Sequence, residues 1–181
     1  MDWDERFARS GVGRPGPPSV LVGREDLVPT SGRALDVACG RGTVAVWLAQ
    51  RGLTVDALDA SPAGLALGRE LAAAEGVEVA WHEADLDSGL PFAELHHPPS
   101  LRPPRYDVVV CQRFRDPLLY PTLAGLLAPG GLLVITVLSS VGDTGGRFRA
   151  GPGELSGAFG HLDVIVDEEG GGEAHLVARR G

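Results

Sequence analysis

The chain has 181 residues, 44% apolar and 22% charged, with a formal net charge of −8. That length predicts one domain, and that composition a globular one. Acidity disfavours nucleic acid as a partner, and because all 16 basic residues are arginine, Schiff-base and P-loop lysine chemistry is excluded.

The first residues, Met1-Asp2-Trp3-Asp4-Glu5-Arg6, are charged and lack the apolar stretch of a secretory leader. No apolar run reaches the roughly 18–20 residues of a membrane helix, so a cytoplasmic protein with no membrane partner is expected. Residues 1–32 are polar and rich in Pro and Gly, and read as an arm with a short helix near 20–27. Residues 33–181 read as the single folded domain. Within it, residues 34–38 are a buried strand that enters a Gly-rich turn. Thr43 is placed to cap the next helix, and Gly52 to stop it. Residues 53–58 form a second strand ending at Asp59. Ser61-Pro62 opens a helix to about Glu75, closed by Gly76. Residues 77–81 alternate as a third strand.

Residues 87–105 are Pro-rich and admit at most one helical turn. A fourth strand spans 106–111, a helix 117–127 and a fifth strand 132–138. A Gly-rich loop, 139–151, leads to a short helix at 152–159. Two final strands, 162–166 and 174–178, flank a Gly-rich turn at 167–173 whose acids read as solvated. The expected fold is α/β: a Rossmann-like, doubly wound, seven-stranded sheet, mostly parallel with a C-terminal antiparallel hairpin. Ligands of such sheets bind beyond the carboxyl ends of the strands, where strand order reverses.

The chemistry concentrates in Ala34-Leu35-Asp36-Val37-Ala38-Cys39-Gly40-Arg41-Gly42-Thr43. Gly40 and Gly42 let the backbone turn sharply and approach a ligand. Asp36 puts a carboxylate in the crevice. Asp59 is suited to accept two vicinal ribose hydroxyls, and Asp85 an exocyclic amine. Three acids suit a ligand carrying ribose, an amino group and positive charge, and suit a pyrophosphate badly. That separates this turn from the dinucleotide fingerprint that Gly40, Gly42 and Ala45 also match. Arg113 and Arg115 sit at the crevice lip, where they could hold an anionic acceptor or pair with local acids such as Asp116. Arg147 and Arg149 belong to a loop that could fold over the site. Asp116 and Glu154 are weak candidates for a general base. Cys39 and Cys111 end neighbouring strands, either as small fillers or as a pair able to bridge a soft metalloid. No His, including His96-His97, has zinc spacing, so no metal is expected.

These residues resemble the class I S-adenosylmethionine-dependent methyltransferases. The glycine motif, Asp59, Glu83-Ala84-Asp85-Leu86, Tyr106-Asp107-Val108-Val109-Val110 and Leu126-Leu127-Ala128-Pro129-Gly130-Gly131-Leu132-Leu133 carry the likeness over residues 33–138. Trp3-Asp4-Glu5-Arg6, Ala38-Cys39-Gly40 and Pro152-Gly153-Glu154-Leu155 resemble small bacterial tellurite-resistance methyltransferases. The resemblance implies S-adenosylmethionine as cofactor. Gly40 and Gly42, with Ala38 and Cys39, would lie under its methionine part. Asp36 would orient the loop or the amino group. Asp59, followed by Ala60, would hold the ribose, and Asp85 with the Leu86 backbone the adenine. The Cys111 backbone would face the methionine amino group. The motif for methylating DNA bases or protein amides is replaced by Cys111-Gln112-Arg113-Phe114. A small-molecule acceptor, soft or anionic, is therefore expected, with Arg113, Arg115 and Glu154 the residues nearest to a catalytic role. The rival reading is a non-catalytic binding protein of the same fold. Trp3 and Phe7 of the arm are candidates for a lid. Nothing in the pattern sets an oligomeric state.

Overall fold

A computed structural model describes residues 3–91, 95, 105–143 and 148–181. The chain begins with helix α1 (Trp3–Ala8), followed by short 3₁₀ turns at Ser19–Leu21 and Glu25–Leu27 where one helix was expected. Then come β1 (Arg33–Val37), α2 (Thr43–Gln50), β2 (Thr54–Asp59), α3 (Pro62–Glu75) and β3 (Ala80–Glu83). β4 (Tyr106–Gln112), α4 (Tyr120–Gly125), β5 (Leu127–Leu138) and α5 (Glu154–Phe159) follow, then β6 (Asp163–Gly170) and β7 (Glu173–Arg179). The predicted turn within the Pro-rich stretch and Arg147 fall outside the described residues.

The strands make one sheet in the order β3-β2-β1-β4-β5-β7-β6. All pairings are parallel except those of β7 with β5 and β6. Strand order reverses between β1 and β4, which pair with Val37 opposite Cys111. The central strands are buried on both faces, as near-continuous apolar runs require. Leu35, Val37, Val109 and Leu133 pack with Leu123 of α4 and Phe159 of α5. On the opposite face, Ala34, Val108, Val110 and Val134 pack with Ala45 and Leu48 of α2. Val20, Leu21 and Val28 of the arm join that second cluster, so this part of the arm is core.

Several boundaries differ from expectation for local reasons. Gly42, at φ 72°, is the N-cap of α2, and Thr43 is already helical, so Thr43 caps nothing. The Val77 N–H bonds to the Ala72 carbonyl, closing the end of α3, and is thereby withdrawn from the ladder. β3 starts at Ala80, not Val77. Asp116 accepts the Leu118 N–H on its side chain and the Leu119 N–H on its carbonyl, and this turn delays α4 to Tyr120. The run Asp167-Glu168-Glu169 lies in β6 rather than in a loop. Only Gly171-Gly172 remain as the turn, at φ 59° and 85°, the left-handed pair that a tight hairpin demands.

Candidate functional site

The site is built where β1, β2 and β4 end. Asp36 is the fourth residue of β1, between Ala57 of β2 and Val110 of β4. It is 1% exposed, and its Oδ2 has no hydrogen-bond partner. Burial and the charge of Asp59 push its carboxyl up to about 8, against the pull of the Ala45 N–H at the start of α2. A buried carboxyl oxygen without a partner costs stability, and here it sits at the mouth of the sheet.

Immediately beyond β1, Ala38 takes a left-handed φ of 56°, and beyond β4 Arg113 does the same at 57°. They are the only described non-glycine residues with positive φ. Backbone strain therefore marks the ends of the two strands that flank the switch point. Gly40 and Gly42 continue the turn at φ 55° and 72°.

Asp59 anchors this turn from the side. Its Oδ2 accepts the Gly40 N–H at 2.7 Å and its Oδ1 the Ser61 N–H at 2.9 Å. A carboxylate has about four acceptor positions, so two bonds leave capacity for hydroxyl donors. Ser61 also caps α3, accepting the Gly64 N–H at 3.0 Å. The arm closes over this corner. Asp4 Oδ1 accepts from Ser61 Oγ and from the Ala63 N–H, both at 2.8 Å. These two bonds, the Ala63 N–H first, hold the Asp4 carboxyl below its ordinary value. A Cβ on Gly40 would lie 2.9 Å from Phe7 Cζ, so the Phe7 ring rests on the glycine turn.

Trp81 packs beneath the same turn. A Cβ on Gly42 would run into its Cη2, and one on Gly68 would stand 2.6 Å from the ring. Phe7, a lid candidate from sequence, lies against this turn; the contributions of Trp81 and Gly68 were missed, although Gly64 and Gly68, one helical turn apart, signal a close approach to α3. Asp85 is exposed and accepts the Asp87 N–H at 3.0 Å, while Leu86 is buried and Ala60 exposed.

The β4 side is different. Arg115 and Glu154 form a two-pronged pair, Nε to Oε1 at 2.8 Å and Nη2 to Oε2 at 2.6 Å. Tyr120 donates its hydroxyl to the same Oε1 at 2.9 Å. Burial opposes the Glu154 charge, but the bonds from Arg115 and Tyr120 outweigh it and hold the carboxyl below its ordinary value. Arg115 thus pairs with Glu154 rather than Asp116, and Glu154 is weakened as a base. Arg113 pairs with Glu173 at 2.6 Å. Arg149 pairs with Asp143 at 2.6 Å and bonds the Ser139 and Gly172 carbonyls. Cys39 and Cys111 are free thiols. Burial first, then the Asp36 charge, pushes both thiols up and keeps them neutral. Among the described residues, no group of three or more His, Cys, Asp or Glu is arranged to hold a metal ion.

A sheet of this order with acids at the ends of β1 and β2 defines the class: a Rossmann-like methyltransferase fold. TehB from Haemophilus influenzae shares the fold, with a TM-score of 0.76 over 99% of this chain and 67% of that one, at 16% identity. A family described as methyltransferase domain matches residues 34–131, and the chain belongs to it, within the class I S-adenosylmethionine-dependent methyltransferases. A ubiquinone biosynthesis O-methyltransferase of Caulobacter sp. (strain K31) is 32% identical over 140 residues, 74% of this chain and 47% of that protein. A ribosomal RNA small subunit methyltransferase C of Chromohalobacter salexigens is 30% identical over 143 residues, 77% of this chain and 39% of that protein. The chain thus spans less than half the length of these relatives.

Proposed function

We propose that the chain transfers a methyl group from S-adenosylmethionine to a small-molecule acceptor. The observation that carries this reading is Asp36, buried with an unpartnered oxygen beside Asp59. Among the described residues no cation is bonded to either carboxylate, which is the arrangement a positively charged nucleoside would complete. The cofactor brings a methyl group already activated on a sulfonium.

Asp36 is the counter-ion for the ammonium group, with the Cys111 backbone beside it. Ala38, Cys39, Gly40 and Gly42 floor the methionine part. Asp59, with the adjoining Ala60 backbone, takes the ribose, and Asp85 with the Leu86 backbone takes the adenine. Residues 1–32 act as an arm whose Phe7 covers the glycine turn, and residues 33–181 form the catalytic domain.

Because the thioether leaving group would be neutral, the chain would need no acid to protonate it. Its task is to hold nucleophile and methyl in line, which can contribute about 7–11 kcal/mol. Arg113 and Arg115 already carry acid partners, so they favour an acceptor recognised by shape over an anionic one. Glu154, paired as it is, favours a soft or readily ionised nucleophile that needs little base. The net charge of −8 favours a small molecule over RNA.

The test is turnover of S-adenosylmethionine to S-adenosylhomocysteine with a panel of thiol, phenol and carboxylic acid acceptors and a ribosomal RNA fragment. Turnover with small acceptors supports the reading, and turnover with RNA alone refutes its acceptor half. Tight cofactor binding without any turnover points to the non-catalytic alternative.

A further inference from the structure

We infer that Asp36 carries a proton while the pocket is empty and gives it up when the cofactor's ammonium group arrives, so that binding releases a proton. This rests on the cofactor reading above and extends it to the charge state of the protein.

The argument begins with what surrounds the side chain. Asp36 lies between β2 and β4, is 1% exposed, and leaves Oδ2 without a partner. From β2 it is faced by the carboxylate of Asp59, and from the strand ends by the thiols of Cys39 and Cys111. From α2 comes the N–H of Ala45. Among the described residues, the cation whose charge acts on this group of side chains is Arg69 of α3, which lowers the Cys39 thiol. Asp59 is itself held by two backbone N–H groups, so the turn fixes its carboxylate close by. Two carboxylates enclosed together with neutral thiols do not both ionise readily, and the smallest cation able to relieve them is a proton. The carboxyl, raised to about 8, agrees. When an ammonium enters, the Asp36 O–H bond breaks, its proton passes to buffer, and an N–H donates to the carboxylate in its place.

Affinity for a ligand bearing that ammonium must then rise with pH, by about tenfold per unit while the free pocket is protonated, and level off near pH 8. A ligand without the ammonium should show no such rise.

The experiment is titration calorimetry with S-adenosylhomocysteine and with 5′-methylthioadenosine, which lacks the amino-acid part. Each is run at pH 6, 7 and 8, in pairs of buffers of different ionisation enthalpy. The expected result is release of about one proton per S-adenosylhomocysteine at pH 7. None is expected for methylthioadenosine, and none for Asp36→Asn with either ligand. Thermal melting verifies that the variant is folded. Equal heats in all buffers with a dissociation constant independent of pH would overturn the inference while leaving the cofactor reading intact. Proton release that survives in a folded Asp36→Asn would overturn it by assigning the proton elsewhere. Failure of both ligands to bind at any pH would remove the cofactor reading, and the inference with it.

Discussion

The two sides of the site treat charge in opposite ways. On the β1–β2 side, Asp36 and Asp59 sit with one oxygen orphaned and with no bonded cation among the described residues. On the β4–β5 side, Arg113, Arg115 and Arg149 each meet an acid at 2.6 Å. The first side leaves a buried carboxyl oxygen unpaired, and the second pairs its charges internally. A half-finished electrostatic site selects its ligand by charge, whereas a self-neutralised rim selects by shape. The contrast is what the proposed division of cofactor side and acceptor side rests on.

Substitutions should therefore hurt most on the first side. Asp59→Ala should do the greatest damage, since it strips partners from the Gly40 and Ser61 N–H groups. A buried donor left unpaired costs about 1–3 kcal/mol. Chemical denaturation should register that loss, and S-adenosylmethionine affinity should fall at least tenfold. Wild-type affinity in this variant would break the contrast.

Gly42→Ala comes next. Its Cβ collides with Trp81, and Gly68 Cα, 3.1 Å from that Cβ, closes the other side. Overpacking of this kind costs about 1–3 kcal/mol, and the left-handed φ adds strain. A lowered melting temperature with altered Trp81 fluorescence is the expected signature, and Gly68→Ala should reproduce it.

Glu154→Gln should have a smaller effect, readable in its pH dependence. The Glu154 carboxyl lies below its ordinary value of 4.5 in the folded protein. Its contribution is thus present above that value and fades as pH falls through the folded one. The stability gap between wild type and variant should close in acid; a gap constant from pH 7 to pH 3 would show that charge is not what Glu154 contributes. Arg113→Ala should do least, within about 0.5 kcal/mol, because its pair is exposed. Urea titration will reveal whether that is so, and a large loss there would sharpen the rim into a real charge site.

Much of this was readable from sequence, and the parts that were not share a cause. Strand-end acids and punctuating glycines are local signals, so Asp36, Asp59, the Ser61 cap and the Gly76 stop emerge from pattern alone. The mostly parallel sheet with its antiparallel end followed from the strand–helix alternation and the closing hairpin. Partners distant in the chain were not legible. For Arg115 the local pattern offers an anionic acceptor or a nearby acid such as Asp116, yet Glu154, 39 residues on, takes it. Phe7 over Gly40 and Trp81 under Gly42 are likewise long-range contacts. The third strand was placed early because the valines at 77 and 79 alternate well, and alternation cannot reveal that the Val77 N–H is already spent on α3.

The outermost strands have a consequence for how the molecule behaves in a crowd. β3 offers only four residues to an incoming chain. β6 is longer, but its register shifts between Val164 and Val166, and Asp163, Asp167 and Glu169 line it beside Glu168, which pairs with Arg24. A second copy approaching antiparallel would meet a broken ladder and set acid against acid. Both rims of the sheet thus resist fibril-like stacking, and the protein should stay dispersed at concentrations where a smooth apolar border would seed aggregates.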